Sequence, residues 1–413
     1  MKFSDNAKKA IKIGSICFLS YLAVYLARNV LSTVTPAMQA EGFSKEAIGS
    51  ASSIYFITYA VGQLINGAIG DKIKARYMMG LGMALAGISN LLFAVFCTGD
   101  SLIPLTAYVA YGCTGFFLAM IYGPMTKVVA ENTEMPYTTR CSLGYTFASY
   151  FGSPAAGILA TFLAWQSVFA VSSAVLLMMA VTLFISFLIY EKKGIIVYNR
   201  FKSEKSSGKG SIKALFKRQI VKFSLVSILT GVVRTSVLFW LPTYFNERLL
   251  YTETESTTIF TVASLFISCG AFIVVFIYEK LGHDLDKTVL LMFSAAAVFF
   301  ILAFAVTTPI LNIILIVLSI MSSNGAATML WSRYCPGLRD TGIVSGVTGF
   351  LDFLSYMAAA AANYVFPFLI EKKAWSWESV VLIWFGLMVV GIIISLPFRK
   401  IKRRDKFENK FSN

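Results

Sequence analysis

The sequence predicts an all-α integral membrane protein with twelve transmembrane helices in two pseudo-symmetric six-helix bundles. Three observations predict it. Residues of the AVILMFWYC set make up 57% of the 413 residues and charged residues only 14%. The apolar ones come in runs of roughly twenty, the length a helix needs to cross a bilayer. All but six of the 36 Lys and Arg fall on one side of the spans that those runs define. Finally, Arg28 followed by Pro36 recurs 206 residues later as Arg234 followed by Pro242, and Ser149-Tyr150 recurs at the same spacing as Ser355-Tyr356.

In chain order the spans are predicted at 11–38, 46–70, 77–97, 101–127, 138–164 and 166–190, then 220–247, 255–279, 287–307, 309–333, 340–370 and 374–398. Residues 1–190 form the first bundle and 220–398 the second. Between them, 191–219 carries Gly194, Ser203, Ser206, Ser207, Gly208, Gly210 and Ser211 among many Lys and Arg, a basic, flexible linker suited to rest on anionic headgroups. Residues 399–413 form a basic tail. Lys2, Lys8, Lys9 and Lys12 precede a run too long for a signal-peptide core, so the first span is expected to stay uncleaved. The positive-inside rule places both termini in the cytoplasm of a multi-pass protein of the cell membrane. Lys45, Arg248, Lys372 and Lys373 are left in outer loops, and Arg28 and Arg234 inside spans.

A net charge of +15 in a soluble chain would suggest nucleic acid. Here its one-sided distribution points to the lipid bilayer, no nucleic acid partner is expected, and the protein is expected to act as a monomer. Cys17, Cys97, Cys113, Cys141, Cys269 and Cys335 show no metal-type spacing and read as small packing residues without a disulfide framework. His283, the only histidine, falls in a loop far from the middle of any span, which argues against a proton relay. Tyr122-Gly123-Pro124, the glycines of spans 5 and 11 and the run Ala358 to Ala362 permit close helix approach and bending.

Charge in the middle of spans carries the functional reading. An unpaired guanidinium there costs ~3 kcal/mol or more by insertion scales, so something must offset Arg28 and Arg234. Asp352 is the one acid deep inside a span, and the three charges sum to +1, which attracts an anion. Guanidinium presents a planar fork that suits phosphate or carboxylate oxygens. One arginine from each half can grip the same oxyanion and draw the halves together. The competing structural reading pairs the arginines with Asp352, or with backbone carbonyls, merely to fix packing. Tyr21, Tyr25, Tyr59, Gln63, Tyr122, Asn324 and Tyr356 supply hydroxyl and amide groups on spans that line such a cavity.

The loop after span 2, Gly67-Ala68-Ile69-Gly70-Asp71-Lys72-Ile73-Lys74-Ala75-Arg76, resembles the cytoplasmic signature of the major facilitator superfamily, with Lys74-Ala75 where a Gly is usual. That resemblance, together with two like-oriented halves, implies the major facilitator fold. Asp71, Lys72 and Arg76 are then candidates for holding the cytoplasmic gate. Tyr25-Leu26-Ala27-Arg28-Asn29, Pro36, Glu41-Gly42-Phe43-Ser44, Gly49, Tyr59 and Arg234 with Trp240-Leu241-Pro242-Thr243-Tyr244 are similar to the organophosphate:phosphate antiporters, the group of the glycerol-3-phosphate and hexose-phosphate transporters. The resemblance implies exchange of an organic phosphate for inorganic phosphate, with Arg28 and Arg234 as phosphate ligands. Where that family carries lysines this chain has Asn29 and Gln63, where the glycerol-phosphate carrier has a histidine it has Ser149, and Asp352 replaces an expected small residue. Less positive charge with an added acid points to a less highly charged ligand, or to one bearing a cationic or hydroxyl-rich part near Asp352.

The expectation is a secondary active transporter of an organic anion, a phosphate ester exchanged for inorganic phosphate by alternating access. No ATP-binding loop, metal cluster or nucleophile constellation is present in the sequence, so neither an enzyme nor a cofactor is expected. Two alternatives stay open: a carboxylate or sugar-acid symporter in which Asp352 carries a proton, and a transporter-like membrane sensor.

Overall fold

A computed structural model of the chain describes residues 4–70, 73–97, 102–134, 137–198, 215–216, 218–335, 338 and 344–396. Among these residues twelve helices follow one another: α1 Asp5–Ala40, α2 Lys45–Gly70, α3 Ala75–Phe96, α4 Leu105–Asn132, α5 Tyr137–Phe162 and α6 Trp165–Lys192. Then come α7 Ile220–Glu247, α8 Glu253–Lys280, α9 Leu285–Ala305, α10 Pro309–Tyr334, α11 Val344–Lys373 and α12 Trp377–Ser395. Eleven are long and apolar enough to cross a membrane.

The two predicted boundaries that move furthest do so for a local reason. α1 begins at Asp5 rather than at 11, because Ser4 Oγ accepts the Ala7 N–H at 3.2 Å and Asp5 places negative charge in the first turn. α4 runs on to Asn132 instead of stopping at 127, and it is interrupted between Leu118 and Tyr122, just before Pro124. The break puts Tyr122 at a helix start in mid-span. α7 is irregular as well: Val232–Val237 is π-helical, and Arg234 sits inside that segment. A π-turn adds a residue to the ladder and re-aims its side chains, which is why such turns cluster at functional sites.

The first six helices and the last six repeat one packing scheme. α1 lies on α5, α2 on α4, and α3 on α4 and α6; α7 lies on α11, α8 on α10, and α9 on α10 and α12. Close approach is built in at equivalent places. A Cβ on Gly152 of α5 would fall 2.6 Å from the Tyr25 carbonyl oxygen of α1, and one on Gly231 of α7 would fall 2.4 Å from the Ser355 carbonyl oxygen of α11. The main contacts between the halves are α2 with α11, α5 with α8, and α1 with α7, and α1 also meets α8. Residues 193–198 turn back onto the first half, where the Val197 N–H donates to Asn132 Oδ1 at 2.7 Å and the Tyr198 hydroxyl donates to Glu191 Oε1 at 2.8 Å. Burial, that hydrogen bond and the nearby carboxylate push the Tyr198 hydroxyl above its ordinary pKa, so it stays a donor.

The end of the molecule opposite the linker, called here the far end, is clasped across the halves. The backbone N–H groups of Lys45 and Glu46, at the start of α2, donate to the Glu371 carboxylate at the end of α11, at 2.5 and 2.9 Å. Lys45 Nζ pairs with Glu247 at 2.9 Å, Gln39 and Trp377 donate to the same carboxylate, and Lys372 pairs with Glu46 at 3.3 Å. Deeper, Ser53 Oγ donates to the Ala360 carbonyl at 2.7 Å and Asn363 Nδ2 to Ser52 Oγ at 2.8 Å. Arg248 completes the picture on Glu378 at 2.6 Å. Three of the four cations that broke the one-sided charge pattern thus have acidic partners. At the linker end the pairs Asn6 with Glu134, Arg76 with Glu191, Lys222 with Asp286 and Tyr334 with the Arg218 carbonyl each stay within one half.

Candidate functional site

Arg28 projects from α1 about 18 Å along the helix from its far end, a depth set by twelve residues at 1.5 Å each. Its side chain is buried, with 9% of its surface exposed. Four aromatic rings surround the guanidinium: Tyr25 at 5.2 Å, Phe56 at 5.4 Å, Tyr59 at 4.8 Å and Tyr356 at 4.7 Å. At about 1 kcal/mol for each cation–π contact, the four together match the ~3 kcal/mol cost of placing the charge at mid-span. The rings supply no lone pair on the edge of the guanidinium, however. Nη1 is buried without a hydrogen-bond partner. A charged donor left so is destabilising until an acceptor arrives.

Arg234, half-buried in the π-turn of α7, donates from Nη2 to the Tyr356 hydroxyl at 3.2 Å. Tyr356 therefore touches both arginines, one by its ring and the other by its oxygen, and it is itself 3% exposed. Its ring also meets Phe56 and Tyr59 of α2, so residues of α1, α2, α7 and α11 converge here. Asp352 lies one turn before Tyr356 on α11, half-buried and within electrostatic range of both guanidiniums. None of the ion pairs of the described residues involves Asp352, Arg28 or Arg234. Asp352 thus makes no direct ion pair with either arginine among the described residues.

The remaining candidates divide. Tyr21 stacks against Tyr25, Tyr122 and Tyr145 at centroid distances of 4.9, 5.7 and 6.0 Å, forming an aromatic wall that leads from Arg28 to the exposed Tyr122. Asn29 gives its amide to its own helix, donating to the Tyr25 carbonyl at 2.8 Å. Gln63 is half-buried one turn beyond Tyr59, and Ser149 is half-buried on α5. Asn324 on α10 has a buried Oδ1 without a partner. Asp71 and Lys72 lie outside the described residues. Arg76 pairs with Glu191 at 2.6 Å and donates to the Tyr77 hydroxyl, fastening α3 to α6 within the first half. The Glu41-Gly42-Phe43-Ser44 stretch has structural work: Glu41 accepts from Trp165 Nε1 at 2.8 Å, Phe43 packs edge-on to Trp165, and Ser44 Oγ accepts the Ala47 N–H. His283 lies in a turn with φ 59°, its ring against Tyr278.

Sequence reasoning passed over Phe56, whose ring shields Arg28. The signal was its position three residues before Tyr59, on the same helix face. It also passed over Glu247 and Glu371, although cations stranded on the poorly charged side point to acids waiting there.

The profile of the Major Facilitator Superfamily matches residues 17–362. The chain belongs to the Major Facilitator Superfamily. This superfamily member is 21% identical to the glycerol-3-phosphate transporter of Bacillus subtilis (strain 168), over an alignment covering 97% of this chain and 95% of that protein. It is 35% identical to the membrane sensor protein UhpC of Escherichia coli (strain K12) over 77 residues, 18% of each chain. Among solved structures it shares the fold of a D-xylose-proton symporter, with a TM-score of 0.71 at 14% identity, covering 94% of this chain and 97% of that one. The superfamily and this structural neighbour are transporters rather than enzymes.

Proposed function

We propose that the protein is a secondary transporter of the cell membrane that exchanges an organic phosphate ester for inorganic phosphate by alternating access. One observation carries this reading. Two guanidiniums, one from each half, are held at mid-span around a shared tyrosine, and the buried one has an N–H edge with no acceptor. A phosphate oxygen supplies that acceptor, and its other oxygens can reach Arg234, so the ligand links α1 to α7. The likeness to a glycerol-3-phosphate transporter supports phosphate over carboxylate.

The positive-inside rule makes the far end the outer side and both termini cytoplasmic, so the clasped far end corresponds to a state open to the cytoplasm. In that state the rings crowd Arg28, and Tyr356 must swing for an anion to engage the Nη1 edge. The same swing frees Arg234 from the tyrosine hydroxyl. Binding thus exchanges one set of contacts for another that spans both halves, a differential free energy able to bias the access equilibrium. Tyr21, Tyr25, Tyr59 and Tyr122 line the path, while Asp71, Lys72 and Arg76 serve the cytoplasmic gate.

Purified protein in liposomes loaded with inorganic phosphate should take up labelled phosphate without a pH gradient. Uptake only when a proton gradient is imposed would replace exchange by proton symport, and ligand binding without any flux would make the protein a sensor. Tyr356→Phe separates the two contacts of that side chain. It keeps the ring on Arg28 but removes the oxygen on Arg234, and a hydrogen bond worth roughly 0.5–1.5 kcal/mol corresponds to about a three- to tenfold change. The apparent phosphate affinity in the exchange assay should shift within that range, whereas Tyr356→Ala, which also bares Arg28, should shift it further.

A further inference from the structure

We propose that the organic substrate is zwitterionic: a phosphomonoester carrying a primary ammonium group a few bonds from phosphorus. This deepens the exchange reading above and rests on it. Asp352 is the only acid in the middle of a span among the described residues, and it makes no direct ion pair there although two arginines lie within electrostatic range. Arg234 instead directs its hydrogen bond to the Tyr356 hydroxyl, and Arg28 Nη1 has no partner. The site is therefore polarised, with two cations at one level and a carboxylate at another.

The separation is set by α11. Asp352 and Tyr356 are four residues apart, so they share a face and differ by about 6 Å in height, with Asp352 nearer the linker end. A phosphate held between Arg28 and Arg234 beside Tyr356 leaves the rest of its ester pointing toward Asp352 when it enters from the linker side. That distance suits the short arm of an amino alcohol, whose ammonium would bond the carboxylate while the phosphate occupies the arginine fork.

Charge decides between an ammonium and a hydroxyl on that arm. The two arginines and Asp352 sum to +1. A phosphate monoester carries about −1.5 to −2 at neutral pH, so an ester whose arm is uncharged overfills the site and brings negative charge toward Asp352. An added ammonium brings the ligand to about −1, and site and ligand then cancel locally as well as in sum. In a low-dielectric span, local cancellation matters more than the total. Inorganic phosphate, lacking the arm, can occupy the arginine level alone.

The test compares phosphoethanolamine with glycerol 3-phosphate, which share the phosphate but differ in the ammonium. In phosphate-loaded liposomes at neutral pH, phosphoethanolamine should inhibit labelled phosphate uptake at a concentration lower than glycerol 3-phosphate by roughly tenfold or more, the effect expected of one charge-assisted bond. Asp352→Asn should bring the two inhibitory concentrations close to equality, and Asp352→Glu should retain the preference. Equal inhibition in the unaltered protein, or a preference for glycerol 3-phosphate, overturns the inference, and that comparison needs no variant to fold. Glycerol 3-phosphate uptake driven by a proton gradient also overturns it, because a proton would then fill the place given to the ammonium. Thermal shifts of the purified protein with the same two esters keep the outcomes distinct. Absence of phosphate self-exchange with a phosphoethanolamine-selective shift sinks the exchange reading and retains the zwitterion, whereas exchange without that selectivity does the reverse.

Discussion

Replacing either arginine of the central pair by lysine should abolish measurable phosphate exchange while the protein still folds and inserts. Lysine retains the charge, so the cost is geometric. Its ammonium is a point donor on a flexible stem, whereas guanidinium offers parallel N–H groups to two oxygens at once. Losing one charge-assisted hydrogen bond of about 1.5–3 kcal/mol weakens phosphate binding by roughly ten- to over a hundredfold. Arg28→Lys leaves a cation among Tyr25, Phe56, Tyr59 and Tyr356, so the packing of α1 against α2 and α11 should survive. Arg234→Lys loses the fork from the π-turn of α7. The double variant is the sharper experiment. If the two side chains grip one phosphate, the combined loss falls well short of the sum of the single losses, because the first substitution already releases the ligand. Full additivity in isothermal binding measurements, or ordinary flux in either single variant, would show that the arginines do not share a ligand.

Gly49→Leu should block turnover by a different route. A Cβ at Gly49 would stand 2.3 Å from the Asn363 carbonyl oxygen and 2.6 Å from Pro367 Cγ, both on α11, with Trp240 of α7 at 3.2 Å. Helix backbone cannot step aside as a flexible side chain can. The larger residue is incompatible with α2 seated on α11 at the far end, but it should be tolerated once those helices part. An overpacking cost of about 3 kcal/mol moves a two-state equilibrium by roughly a hundredfold. The protein should therefore rest with its far end open, bind phosphate, and fail to exchange it. Hydrogen exchange should speed up at the start of α2 and the end of α11 while the α3 and α6 amides keep their protection. Unchanged turnover would mean that the α2–α11 seam never has to open.

The spans were legible because lipid imposes a length and an apolarity that composition reveals directly. Arg28 and Arg234 were legible for the complementary reason, since a fixed charge in such a run stands out against everything around it. What surrounds Arg28 was only half legible. Tyr25 and Tyr59 carry hydroxyls and drew notice, whereas Phe56 looks like any lipid-facing ring until α2 is set against α1. Asp352 was visible as a charge, but its lack of an ionic partner depends on the rotamers of Arg234 and Tyr356, which no spacing encodes. The break in α4 was foreshadowed by Tyr122-Gly123-Pro124, whereas the π-turn of α7 was hidden for another reason. The π-turn lies inside a long apolar run, and periodicity over a span does not resolve one inserted residue.

The clasp at the far end sets the character of the cycle. Glu371 completes the amides that begin a helix of the other half, and the pairs around it, Lys372 with Glu46 among them, reach solvent. Water can replace each of these partners almost without loss, since exposed ion pairs contribute only about 0–1 kcal/mol. Had the rim been sealed by leucines and phenylalanines, parting it would have wetted apolar surface and tilted the landscape heavily to one side. A polar rim lowers the cost of parting the halves there, which favours a carrier that runs in either direction as solute concentrations dictate.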